Sequence, residues 1–172
     1  MNLCGDAEAS GSPGADSTQC LWELETLETT HALGCELAQR LPKSAILLLH
    51  GPLGAGKTSL VQGLALACGI SEPITSPTFA LAQHYPQGQP PLVHLDLYRL
   101  EAPGSADELF LQEEEEARAM GALMAVEWPE RLRLVLSEAW QLELAYQGEG
   151  RRARLTPPHA PAMKASTSSA LG

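Results

Sequence analysis

Residues 51–58 read GPLGAGKT: a glycine, four residues, then Gly-Lys-Thr, the spacing of a phosphate-binding loop. Polyphosphate binding needs backbone N–H groups that converge on the anion. Gly54 and Gly56 permit the positive-φ turns that form such a nest. Lys57 is placed to reach the β- and γ-phosphate oxygens, and the Thr58 hydroxyl is the expected Mg²⁺ ligand. A helix starting near Lys57 would bring the positive end of its dipole beneath the phosphates. Leu53, Gly54, Ala55, Gly56, Lys57, Thr58 and Ser59 therefore make up the expected nucleotide-binding stretch.

Two carboxylates stand where a second contribution to the site is expected. Asp96 lies at or near the carboxyl end of the strand expected over LVHLDLYR (92–99), and Glu127 follows the apolar run ALMAV before Trp128-Pro129. Open α/β sheets bind ligands beyond the carboxyl ends of their strands, so either acid could order Mg²⁺ or the attacking water. The residues alone do not rank the two. Ser76-Pro77-Thr78 places two hydroxyls around a proline. That pattern reads either as a turn that senses a γ-phosphate or as an ordinary turn before a strand.

The elements that must position these groups can be read outward from the loop. AILLL (45–49) is a buried-strand run, and the following helix carries Leu60, Leu64 and Cys68 on one face, with Cys68-Gly69 as its C-cap. Earlier, a strand is expected near 20–24, then a helix capped by Thr29 or Thr30, carrying Leu33, Leu37 and Leu41 and ended by Pro42. Later elements are a strand 79–85, a loop 86–91, the strand 92–99, and a helix 105–120 capped by Ser105. That helix should turn Leu109 and Leu111 inward and Glu113–Glu116 outward, and Gly121 should end it. Strands near 132–136, 142–146 and 151–155 are expected as an antiparallel extension.

Composition sets the bounds. With 172 residues and 44% hydrophobic content, one good core is expected, in a single domain over 21–155. Residues 1–20 and 156–172, rich in small and polar residues, read as a disordered leader and tail. No secretion signal or membrane span is read, which predicts a cytoplasmic protein. Cys4, Cys20, Cys35 and Cys68 lack a Cys-x-x-Cys spacing, so zinc and redox chemistry are not expected. Residues 1–149 hold seven bases against 21 acids, a net charge of −14. Such a body repels phosphate backbones and argues against a domain that grips nucleic acid alone.

Several stretches together resemble the bacterial tRNA threonylcarbamoyladenosine biosynthesis ATPases of the TsaE family: THALG (30–34), GPLGAGKTSL (51–60), TSPTF (75–79), HLDLYRL (94–100) and VEWPERL (126–132). The resemblance implies a P-loop NTPase-like three-layer α/β fold, a mixed sheet with a parallel core and an antiparallel extension. It implies an ATP hydrolase, slow when isolated, that uses ATP and Mg²⁺ and serves a threonylcarbamoyl-transferase and its paralogous partner subunit. tRNA would be met only through that complex, and no membrane is involved.

By position, the resemblance gives Lys57 to phosphate, Thr58 and Glu127 to Mg²⁺, and Asp96 to hydrolysis, with Ser76 to Thr78 as the switch turn. Trp128 would pack beside the nucleotide and Arg151 would approach it. One departure stands out: the family usually has an acid where Pro52 stands, so any role of that acid is absent here.

Other classes are less well supported. A GTP-driven switch typically reads guanine with Asn-Lys-x-Asp, and the only asparagine is Asn2. A small-molecule kinase needs an arginine-bearing lid, for which Arg118, Arg131 and Arg133 are the candidates between Arg99 and Gly150. A nucleotide-dependent assembly subunit with negligible turnover is the remaining alternative.

Overall fold

The computed structural model describes residues 19–159. Of the expected leader and tail, residues 1–18 and 160–172 lie outside the described residues, while Cys20 and Thr156 belong to strands. The chain runs β1 (Cys20–Leu24), α1 (Leu27–Arg40), β2 (Ile46–His50), α2 (Lys57–Ala67), β3 (Ala82–Tyr85), β4 (Leu92–Asp96), α3 (Ser105–Met120), β5 (Leu123–Glu127), a 3₁₀ turn (Pro129–Arg131), β6 (Trp140–Gln147) and β7 (Gly150–Thr156).

Seven strands form one sheet in the order β1-β7-β6-β2-β5-β4-β3. The centre, β6-β2-β5-β4, is parallel, and its strands ILLLH, LVHLD and LMAVE are nearly continuous apolar runs because both faces are covered. Antiparallel strands complete both edges, β3 on β4 at one and β7 then β1 beyond β6 at the other.

Alternation along the strands divides the core into two layers. Leu47, Leu49, Leu92, Leu123 and Ala125 join Leu33, Leu37, Leu60 and Leu64 of α1 and α2 on one face. Leu48, Val93, Leu95, Met124 and Val126 join Ala106, Phe110 and Ala117 of α3 on the other. Leu37, Leu60, Leu64 and Phe110 are fully buried, each contributing about 1.5–3 kcal/mol relative to exposure. Helices α1 and α2 meet at Gly34 and Gly63, where an added Cβ would lie 2.3 Å from the Leu60 carbonyl oxygen and 2.2 Å from that of His31. The α2 helix is thereby held close against α1.

Local expectations differ from the structure in instructive ways. Helix α1 starts earlier than expected because Thr26, not Thr29 or Thr30, is the N-cap. Thr26 accepts from the Thr29 N–H, and the Thr29 hydroxyl accepts from the Thr26 N–H. Helix α3 is entered through Gly104 at φ 83°, while the Ser105 hydroxyl turns back to the Ala102 carbonyl. On α3 the inward face carries Phe110, with Leu111 exposed and Leu109 half-buried. Glu113, expected outside, is buried and paired with His84 of β3. Strand β3 begins only at Ala82, since the Leu81 N–H closes a turn onto the Pro77 carbonyl and Leu81 takes φ 68°. Strand β4 ends at Asp96 rather than Arg99.

Residues 132–136 are not a strand. Asp107 of α3 accepts the Arg133 and Leu134 N–H groups, which diverts the segment from any ladder and leaves Val135 92% exposed. The last two strands do form an antiparallel hairpin, but β6 enters the sheet parallel to β2.

Candidate functional site

The phosphate loop leaves β2 and turns into α2, as the order of elements requires. Gly51, Gly54 and Gly56 take φ values of 146°, 76° and 101°, and Gly56 is the N-cap of α2 without any side-chain cap. The first amides of α2 are thus left to an external acceptor, the arrangement that binds phosphate. Two residues of the β6–β7 hairpin fix the outer part of the loop. The Tyr146 hydroxyl donates to the Leu53 carbonyl (2.6 Å), and Arg151 donates to the Gly54 carbonyl (3.2 Å) while its guanidinium lies 4.3 Å from the Tyr146 ring.

Lys57 is 5% exposed. Its ammonium donates to the Gly51 and Pro52 carbonyls at 2.6 and 3.0 Å and sits 4.0 Å from the centre of the Trp128 ring. Burial lowers its pKa, and Glu127, Glu130 and Asp96 act in the opposite direction. Trp128 is held at φ 58°, a left-handed conformation costly for an aromatic residue. Its ring is 4.8 Å from that of Tyr98.

Asp96 and Glu127 are register partners on β4 and β5, so both carboxylates stand side by side at the carboxyl edge, on the α1–α2 face. Their surroundings differ. Glu127 Oε1 accepts the Thr58 hydroxyl and lies against His94 Nε2, both at 2.8 Å. Asp96 Oδ2 accepts from Ser76 (2.6 Å) and Thr78 (3.3 Å), and its Oδ1 accepts the Tyr98 N–H (3.0 Å). Ser76 and Thr78 are themselves within 2.9 Å of each other. Glu127 is thus bonded to the phosphate-loop threonine and Asp96 to the Ser-Pro-Thr turn, a difference in partners that the residues alone do not show.

These oxygens suit a hard divalent cation. Thr58 and Glu127 supply two adjacent oxygen donors, and Mg²⁺ commonly takes only one or two protein ligands. A pocket of about 210 Å³ opens beside the loop, lined by Thr26, Leu27, Thr30, Gly56, Ser59 and Arg151 among others.

The comparisons agree with this geometry. The family model described as threonylcarbamoyl adenosine biosynthesis protein TsaE matches residues 24–154. The chain belongs to the TsaE family. Two relatives named tRNA threonylcarbamoyladenosine biosynthesis protein TsaE come from Nostoc sp. (strain PCC 7120) and Synechocystis sp. (strain PCC 6803). The first is 45% identical over 132 residues, covering 76% of this chain and 81% of that one. The second is 50% identical over 112 residues, covering 63% and 69%. Among solved structures, the crystal structure of Bacillus subtilis YdiB superposes with a TM-score of 0.67 at 24% identity, covering 85% of this chain and 90% of that one. At that identity the likeness speaks for the fold.

Within this TsaE-family site the structure places the expected residues near one another: 53–59, Ser76, Thr78, Asp96, Glu127, Trp128 and Arg151. His94 and Tyr146 were missed. His94 had a signal, since two residues before Asp96 on a strand means the same face. Tyr146 had none, because its contact with Leu53 spans 93 residues.

Proposed function

We propose that the chain binds and hydrolyses ATP with Mg²⁺ in the biosynthesis of threonylcarbamoyladenosine in tRNA. The observation that carries the reading is the pairing of Thr58 with Glu127 at 2.8 Å, directly at the N-terminus of α2, beside a second carboxylate already oriented by three donors. Family membership supports the pathway, and the relatives' names supply its product.

In this reading the amides of Gly54 to Ser59 and the Lys57 ammonium hold the β- and γ-phosphates. Lys57 exchanges its two carbonyl acceptors for phosphate oxygens, and the gain offsets the burial of its charge. Thr58 and Glu127 would hold Mg²⁺, which when bound neutralises charge developing on the phosphates. Asp96 orients the attacking water. Its hydroxyl partners, Ser76 and Thr78, are the groups best placed to exchange Asp96 for a γ-phosphate, so the turn reports the nucleotide state. The pocket lined by Thr26, Leu27 and Thr30 receives the nucleoside, with Arg151 at its rim.

The partners we propose are a threonylcarbamoyl-transferase and its paralogous subunit, in the cytoplasm, with tRNA met only through them. Among the described residues no helix is long and apolar enough to cross a membrane. A second reading, a nucleotide-dependent assembly subunit with negligible turnover, is favoured by the same Ser76–Thr78–Asp96 contacts.

Product analysis separates the readings. Incubated with Mg²⁺ and radiolabelled ATP, the protein should release ADP and inorganic phosphate. Label on an added acceptor would instead mark a small-molecule kinase, and binding without turnover, even with partners, the assembly subunit.

A further inference from the structure

We infer that His94 is a positioning residue for the cation site: it donates Nε2–H to Glu127 and so fixes the carboxylate that, in the functional reading above on which this rests, ligates Mg²⁺. His94 is fully buried in the central strand β4. Its Nε2 lies 2.8 Å from Glu127 Oε1, the oxygen that also accepts the Thr58 hydroxyl. Among the described residues its Nδ1 is the buried side-chain polar atom without a hydrogen-bond partner.

These facts fix the direction of the bond. A carboxylate only accepts hydrogen bonds, so the nitrogen facing it must carry the proton. Nδ1 has no partner of its own, so the ring's one hydrogen bond is the donation from Nε2 to Glu127. Leaving a polar ring nitrogen unpaired in a dry core is costly. A residue retained solely for packing on this strand would be apolar, like its neighbours Val93 and Leu95. The compensating interaction is the single bond to Glu127.

The consequence for the site is geometric. Thr58 and His94 approach Oε1 from α2 and from β4, two elements the core holds rigidly. Two donors on one oxygen fix the rotation of the Glu127 carboxyl group. Oε2 has no protein donor among the described residues and remains the lone-pair bearer that a cation would use. Outer donors of this kind typically alter metal affinity by roughly 10–100-fold when removed.

The test uses the full chain and three proteins: wild type, His94→Leu, which fills the volume without a donor, and His94→Gln, which restores an N–H. ADP is titrated by calorimetry in EDTA and at graded Mg²⁺, with melting temperature recorded for each protein. The expected result is an unchanged affinity in EDTA, a Mg²⁺ requirement raised roughly 10–100-fold in His94→Leu, and at least partial recovery in His94→Gln. An unchanged Mg²⁺ requirement in His94→Leu would overturn the inference. So would equal loss with and without Mg²⁺, or a defect that His94→Gln does not relieve, since either would mark His94 as a packing residue. If wild type itself binds ADP with no Mg²⁺ effect, the functional reading fails instead, which keeps the two failures distinct.

Discussion

The Lys57 ammonium is held out of water, and burial outweighs its three acidic neighbours in lowering its pKa from 10.5. The sign of the stability effect follows. Where the folded pKa lies below the unfolded one, the protonated lysine disfavours folding, and that cost fades as pH rises from the folded pKa to 10.5. Lys57→Met should therefore lose ATP binding yet melt no lower than wild type near neutrality. Its advantage should shrink as pH rises toward 10.5 and be gone above it, as seen by denaturant unfolding of both proteins across pH. A large fall in melting temperature would mean that Lys57 is a structural anchor.

Asp96→Asn is expected to lower hydrolysis by roughly 10²–10⁴-fold with ATP still bound, the usual scale for a proton-handling group. Single-turnover phosphate release together with ATP titration measures it. Lys57, Thr58, Asp96 and Glu127 could be found in the sequence because motif spacing and strand ends mark them. Glu113 is different: it shares the face of Phe110 and Ala117, but its partner His84 lies 29 residues away on β3, so the run of four glutamates reads as solvated.

Among the elements, α1 and α2 depend on glycine at their crossing. Gly63→Ala would place a methyl group 2.2 Å from the His31 carbonyl oxygen, so the helices must separate despite alanine's better helix propensity. Destabilisation of about 1–3 kcal/mol is expected, as for overpacked cores, together with weaker nucleotide binding because α2 carries the phosphate loop. Urea unfolding and ATP titration of the same variant check both. Stability equal to wild type would show that the helices tolerate the shift.

The strands β2, β4 and β5 were legible because central parallel strands are apolar on both faces. The segment 132–136 was misread for a related reason. Leu132, Leu134 and Leu136 alternate like a strand, but the Asp107 carboxylate takes two of its backbone donors, and no periodicity records that. The N-cap of α1 was misplaced for a similar reason: three threonines lie about its start, and geometry chose Thr26.

For the whole molecule, charge and site point in opposite directions. Residues 1–149 carry −14, a field that opposes tRNA, while the amide nest and Lys57 create one local anion site. The isolated chain should show negligible tRNA binding at moderate salt, measured by titrating labelled tRNA, and tight specific binding would contradict the charge argument. Partner affinity should depend on which nucleotide is bound, through the turn that Asp96 holds, and Thr78→Ala should reduce that dependence in a pull-down with ADP or ATP.

The central claim is that ATP turnover at this site supports threonylcarbamoylation of tRNA. The most direct measurement is multiple-turnover tRNA modification by the threonylcarbamoyl-transferase and its paralogous subunit, with wild type or Asp96→Asn added, in ATP or a non-hydrolysable analogue. Sustained modification only with wild type and ATP is the predicted result. Equal, repeated turnover with Asp96→Asn or with the analogue would contradict the claim.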